Sequence, residues 1–323
     1  MKKQSLRVGV IGVGHLGEYH VQKYKNIPTV DLVGVVDIDQ DRADDIARRY
    51  NTSAYPRHHD ILDLVDAVSI AVPTEMHFEV AADMMSKGVH VLVEKPVTYS
   101  LEQADTLITM AENRQLVLQV GHVERFNPAV VKMESLVNRP VFIESHRMNL
   151  FTTRGTDVDV CLDLMIHDLD IILHVVPSEV QDVHAVGMSV VTGKTDIANV
   201  RITFENGTVA NLTASRVSNK TLRKIRMFQP DAYISVDCVK REVSVTSLDN
   251  EVNDSNRLPQ ITSNKMTYPD SDPLSEEIFS FVNAIINGSE PVVTGRDGRR
   301  ALDVALTIID QIEKGCKNFQ TIC

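Results

Sequence analysis

The chain has 323 residues, of which 43% are hydrophobic and 24% charged, and it carries a net charge of −11. That length predicts two domains at the usual ~100 to 200 residues each, and no apolar run approaches the ~20 residues of a membrane span. The acidic balance excludes general nucleic-acid binding, which needs a basic face over the phosphates, and the absence of tryptophan excludes a platform of stacked indoles for carbohydrate.

Met1-Lys2-Lys3 passes straight into a strand-like run with no small-residue cleavage site, so a signal peptide is not expected and the cytoplasm is the expected compartment. Cys161, Cys238, Cys316 and Cys323 lack metal-ligand spacing and are expected to remain thiols there.

The first half alternates strand and helix. Strands are predicted over 7–12, 30–37, 66–73, 90–94 and 117–121, with helices starting near His15 and Asp41 and spanning 74–87 and 100–115. Continuous apolar runs such as Val33-Gly34-Val35-Val36 suit strands covered on both faces, which predicts a doubly wound parallel sheet.

The first strand ends in Gly12-Val13-Gly14-His15-Leu16-Gly17, a GxGxxG that opens a helix. Gly12 makes the turn, Gly14 admits a pyrophosphate to the backbone, and Gly17 lets helix and strand approach. Asp37 ends the second strand 20 residues after Gly17, where a carboxylate can accept from the adenosine ribose hydroxyls. The same charge would repel a 2′-phosphate, so NAD is expected over NADP, although Arg42 lies close by and an aspartate there also serves as a helix cap.

Two further strand ends point to the same crevice. One is Pro73-Thr74, followed by His77 in the first turn of a helix, and the other is Glu94-Lys95-Pro96. Ligands bind beyond the carboxyl ends of parallel strands, so Lys95 is expected where a nicotinamide ring meets its substrate.

After Gly121 the alternation stops, and we place the domain junction there: residues 1–122 as a nucleotide-binding domain and 123–323 as a substrate-binding and oligomerisation domain. Gly121-His122-Val123-Glu124-Arg125-Phe126-Asn127-Pro128 leads into a helix to about Asn138. Strands are predicted over 141–148, 180–188, 199–205, 209–215, 224–228, 232–237 and 242–246, with an Asn206-Gly207 hairpin between two of them. This is an α+β domain with a mainly antiparallel sheet whose open face suits a homodimer or homotetramer. Residues 250–272 read as a polar surface excursion, and helices over 274–287 and 299–314 stop at Gly288 and Gly315.

The chemistry of the second half is expected in Asp159 to Asp170. Asp163 and His167 are four apart, on one face of a helix, and make a workable acid/base pair, though a core histidine beside an aspartate gives the same pattern. His167 and His174 are seven apart, which is not zinc spacing, and no catalytic metal is expected.

Together, Gly12-x-Gly14-x-x-Gly17, Asp37, Pro73-Thr74-x-x-His77, Glu94-Lys95-Pro96 and Asp163-x-x-x-His167 resemble the Gfo/Idh/MocA family of nicotinamide-dependent sugar oxidoreductases across nearly the whole chain. The resemblance implies a Rossmann domain followed by an open-faced α/β domain, and a Lys-Asp-His site carried here by Lys95, Asp163 and His167. Within the family, the stretches 121–128 and 163–168 are similar to those of UDP-N-acetylglucosamine 3-dehydrogenases, which implies hydride transfer from C3 of a UDP-N-acetylhexosamine to give a 3-keto nucleotide sugar. The stretch Val158-Asp159-Val160-Cys161 departs from the apolar-glycine segment common in the family. Arg125, Arg147 and Arg154 would face a diphosphate, with Asn127 beside them, although arginines are also common as solvated surface charges. The alternatives are a dehydrogenase of a free cyclitol or simple sugar, and an NAD-sensing regulator, which would need none of Lys95, Asp163 and His167.

Overall fold

Strands without a polar face must be covered on both sides, and the first half of the chain supplies the cover by alternating them with helices. The computed structural model describes residues 5–152, 155–156, 158–248 and 261–320. In chain order the first part comprises β1 (Leu6–Ile11), α1 (His15–Lys25), β2 (Val30–Val36), α2 (Gln40–Tyr50), β3 (Ser53–Tyr55), a 3₁₀ turn (His58–Ile61), β4 (Ala67–Ile70) and α3 (Thr74–Ser86). It continues with β5 (His90–Glu94), α4 (Leu101–Arg114) and β6 (Leu118–Gly121). All six strands are parallel, in the order β3-β2-β1-β4-β5-β6. The order reverses between β1 and β4, which opens a crevice at their carboxyl ends.

A 3₁₀ turn (Val123–Phe126) leads to α5 (Pro128–Glu134), β7 (Phe142–Leu150), a π turn (Cys161–Met165), α6 (Ile166–Val175), β8 (Val180–Met188), β9 (Ile197–Phe204) and β10 (Val209–Ser218). Then come β11 (Leu222–Gln229), β12 (Ala232–Asp237), β13 (Glu242–Leu248), β14 (Ile261–Thr267), α7 (Pro273–Asn287) and α8 (Gly295–Gln320). The second sheet runs β14-β13-β12-β11-β7-β10-β9-β8, antiparallel except for β7 beside β10. Its strands keep a period of two: Ala198, Val200, Ile202 and Phe204 of β9 are buried while Asn199 and Arg201 are exposed. Among the described residues no helix is long and apolar enough to cross a membrane.

The chain divides into two compact units, Met1–Val123 with Asp272–Leu302 and Glu124–Ser271 with Asp303–Cys323. A single boundary at 122/123 therefore misses the return of 272–302 to the first unit. Its cause is apolar: Ile278, Phe281 and Val282 of α7 are fully buried in one core with Val8, Val10, Val35 and Leu92.

Three other expectations change. β3 was not anticipated, because a three-residue edge strand has too little sequence to show a period. β14 falls inside the expected polar excursion: it is an almost wholly exposed edge strand, held by pairing with β13 instead of by a buried face. Residues 250–260 of that excursion lie outside those described. Gly288 ends α7 in the left-handed region at φ 63°, but α8 runs through Gly315, which takes no such conformation. One glycine costs a helix only about 1 kcal/mol relative to alanine and does not stop it unless the backbone turns.

Phe281→Ala should destabilise the first unit by about 3–5 kcal/mol through the cavity it leaves. Urea unfolding followed by loss of dinucleotide binding measures this; an unchanged midpoint would show that α7 is not part of that core.

Candidate active site

The turn after β1 is built by steric exclusion. Gly12 has φ +82°, and a Cβ there would lie 2.7 Å from the Ala71 carbonyl oxygen. A Cβ on Gly17 would overlap the carbonyl oxygen of Gly12. Gly14, the N-cap of α1, has nothing within 4 Å of its Cβ position, so the backbone is open to a ligand at the point where GxGxxG requires it. His15 and Leu16 are exposed beside it at the start of α1, whose first amides have no acceptor within the helix.

Asp37 is fixed to the same turn. It accepts from the Val13 amide at 2.9 Å and the Asp39 amide at 2.9 Å, and Arg42 Nη1 donates to its two oxygens at 3.2 and 3.3 Å. The carboxylate thus ties the end of β2 to the glycine turn, and its remaining lone pairs suit a ribose diol. A cradle closed to side chains, open at Gly14 and flanked by this carboxylate fits an adenine dinucleotide.

At the neighbouring strand ends, Pro73 is exposed and Thr74 begins α3. His77 is 1% exposed, with Nδ1 2.9 Å from the Pro96 carbonyl and Nε2 3.0 Å from the Val72 carbonyl. Burial pushes its pKa down, so the ring is neutral and donates from one nitrogen only. Expected as a cofactor contact, His77 is packed between the Val72 and Pro96 carbonyls of the two loops that flank the crevice.

Glu94 is likewise a support. His20 Nε2 donates to its Oε1 at 3.1 Å, the Lys95 amide donates to Oε2 at 3.3 Å, and a Cβ on Gly121 would strike the carboxylate at 2.9 Å. Glu277 brings a second buried carboxylate into the same group, with ligating atoms of His20, Glu94 and Glu277 all within 4.8 Å of one another. The half-buried Lys95 follows, joined to the buried Pro96 by a cis peptide.

In the second unit Asp163 and His167 do not share one regular helix. Asp163 lies in the π turn, where the chain makes wider hydrogen-bonded loops, and His167 is in the first turn of α6. Such π turns recur at functional sites because they re-aim side chains. Gly155, at φ +65°, would place a Cβ 3.1 Å from Asp163 Oδ2. Arg216 holds that loop by donating to the Gly155 and Val158 carbonyls at 2.6 Å each.

Asp163 lines a cavity of about 320 Å³ with Asn149, Thr152, Arg216, Thr221 and Arg223. Sequence reasoning missed Asn149, Thr221 and Arg223, which sit on or beside β7 and β11 and become neighbours only through strand pairing.

The expected diphosphate arginines are otherwise engaged. Arg147 is 1% exposed: Nε and Nη2 donate to Asp168 at 2.8 and 2.6 Å, and Nη1 donates to Glu124 at 2.8 Å. Arg125, also buried, donates from Nη1 to Asp170 at 3.4 Å and lies 3.5 Å from Glu134. Asn127 caps α5 and donates to Glu124 and to the Cys238 carbonyl. These three residues form the interior of the unit instead of a substrate face, and Arg154 lies outside the described residues. Burial alone would lower the Arg147 pKa and raise that of Glu124. Their mutual attraction, with Asp168 and Arg223, reverses both, so Arg147 is raised and Glu124 lowered. Burial pushes the thiols of Cys161 and Cys238 up, which leaves them unreactive.

The profile of the oxidoreductase family with an NAD-binding Rossmann fold matches residues 6–122, and that of the GFO/IDH/MocA C-terminal domain matches 129–232. The chain belongs to the Gfo/Idh/MocA family of oxidoreductases. It is 41% identical over 309 residues to UDP-N-acetylglucosamine 3-dehydrogenase of Acidithiobacillus ferrooxidans, covering 95% of this chain and 97% of that one. The crystal structure of that enzyme superposes with a TM-score of 0.89 at 40% identity, covering 97% of this chain and 99% of that one. Myo-inositol 2-dehydrogenase of Thermotoga maritima is 27% identical, over 92% of this chain and 93% of its own. A scyllo-inositol dehydrogenase from Lactobacillus casei, solved with NAD(H) and scyllo-inositol, shares the fold at a TM-score of 0.80 and 19% identity, over 97% and 98% of the two chains.

Gly17→Ala should abolish dinucleotide binding in this Gfo/Idh/MocA protein while leaving the second unit folded. Titration of NADH fluorescence checks it, and retained affinity would remove the glycine turn from the site. Arg147→Met should destabilise the second unit by about 3–5 kcal/mol, because Asp168 and Glu124 would be left buried without their cation. The wild-type contribution of Glu124, whose folded pKa is depressed, is complete above its unfolded pKa of about 4.3 and fades as pH falls through the lower folded value. Urea midpoints across acidic pH should fall in the wild type and less steeply in Arg147→Met.

Proposed function

We propose that the protein oxidises the C3 hydroxyl of a UDP-N-acetylhexosamine of the UDP-N-acetylglucosamine kind, with NAD as hydride acceptor, to a 3-keto nucleotide sugar. The near full-length 41% identity to an enzyme of that name carries this reading, and Lys95, Asp163 and His167 supply its chemistry. Inositol dehydrogenases are more distant, at 27% identity or less in the two compared above.

The Gly12–Gly17 turn, the α1 amides and Asp37 would hold the cofactor, which when bound accepts the hydride. Asp37, already anchored by two amides, favours a ribose diol over a 2′-phosphate, so NAD is preferred to NADP. His167 takes the hydroxyl proton, Asp163 orients the imidazole or a sugar hydroxyl, and the ammonium of Lys95 stabilises the charge that develops on the oxygen. With Arg125 and Arg147 buried, Arg223 is the cation we assign to the substrate: it lines the Asp163 cavity with its side chain 38% exposed.

Oligomerisation through the second sheet is supported by a row of aromatics on one face, with the Phe142 and Phe228 rings 5.5 Å apart and Phe228 and Tyr233 4.9 Å apart. A homodimer or homotetramer in the cytoplasm is the expected form.

Mixing the protein with NAD and UDP-N-acetylglucosamine should generate NADH and a ketone that hydroxylamine traps at C3, located by mass spectrometry. His167→Ala should lower kcat by about 10²–10⁴-fold with NAD affinity retained, and Arg223→Ala should raise KM more than it lowers kcat. Reduction of NAD by a free inositol but not by the nucleotide sugar would replace this reading with a cyclitol dehydrogenase.

A further inference from the structure

Away from the glycine turn and the Asp163 cavity, three metal-ligating side chains converge that take no part in the chemistry above. The 3₁₀ turn His58–Ile61 precedes the amino end of β4, and Asp83 lies in the last turn of α3, whose first turn stands at the carboxyl end of β4. Successive residues of a 3₁₀ helix are about 120° apart around its axis, so adjacent side chains ordinarily diverge. Here His58 Nε2 and His59 Nε2 lie 2.9 and 3.1 Å from the same oxygen, Oδ2 of Asp83. Their rings are 4.0 Å apart and tilted by 36°. The three ligating atoms all fall within 4.8 Å of one another.

Two imidazole nitrogens and one carboxylate oxygen form a mixed donor set suited to borderline divalent cations. Ligand atoms about 2.1 Å from a tetrahedral ion stand roughly 3.4 Å apart, so the observed spacings need only small rotations of the side chains to enclose one. Exposure is graded to suit such a site. The His58 side chain is 13% exposed and fixed, while those of His59 and Asp83 are 55% and 37% exposed, which gives an ion access and leaves coordination positions for water. Arg57, on the same turn, is engaged by Asp60 at 2.9 Å.

We propose that His58, His59 and Asp83 bind a divalent cation of the Zn²⁺ class, which clips the turn after β3 to the end of α3. The ion is bound by coordination alone, contributes to stability and does not enter hydride transfer.

The test uses full-length protein stripped of metal by a chelator and then titrated with ZnCl₂ in a calorimeter. One saturable equivalent is expected, with affinity falling about tenfold or more in both His59→Gln and Asp83→Asn, and with a Zn²⁺-dependent rise in Tm that both variants lose. His184→Gln is the control, since among the described residues the exposed His184 pairs with Asp182 at 2.9 Å and belongs to no cluster of three ligating groups; it should bind Zn²⁺ as the wild type does. Copper EPR provides a second readout, with coupling to two nitrogens in the wild type and to fewer in His59→Gln. Wild-type affinity in both cluster variants, or no saturable binding by the wild type, would overturn the proposal.

Discussion

The contact on which the nucleotide-binding unit depends is the one between the Gly12 carbonyl and Gly17. No side chain fits between them, so α1 starts directly against the end of β1, and its free amides face the crevice where strand order reverses. Asp37 then binds the Val13 amide and ties β2 to the same turn. Ligand cradle and sheet closure are thus one set of contacts, which is why residues expected to touch the cofactor, such as His77 and Glu94, also serve as buried supports.

The second unit is organised around a buried charge. Arg147 enters the interior from β7 and is neutralised by Asp168 of α6 and Glu124 from the segment before α5. A buried ion pair of this kind gives little net stability, but its geometry is demanding, since each partner left alone would be a buried charge. It fixes α6 against the sheet and so sets the direction of the helix that begins just before His167. Asp168, adjacent to His167 in sequence, belongs to this framework, whereas His167 is only partly buried.

Several features were legible because they follow from local chemistry. GxGxxG before a helix, an aspartate at the end of the second strand, apolar runs without a polar face and an Asn-Gly hairpin each constrain the backbone within a few residues. The fold class, the cofactor turn and most strands follow from them. Arg125 and Arg147 misled for the complementary reason: an arginine in a sequence does not show whether its fork meets solvent, substrate or a buried carboxylate. β14 and β3 were hidden because edge strands can be held by main-chain pairing alone, which leaves no pattern in the side chains.

What the sequence determined by itself was the local backbone at Gly12, Gly14, Gly17 and Gly207, the parallel and antiparallel halves, and the residue types available for chemistry. Only the tertiary structure decided that α7 completes the first core, that Arg125 and Arg147 are interior, and that Asn149, Thr221 and Arg223 meet Asp163 around one cavity. The physical reason is range. Steric and turn preferences act between near neighbours and are written in adjacent letters, whereas burial and charge pairing depend on which distant segments the completed fold brings together.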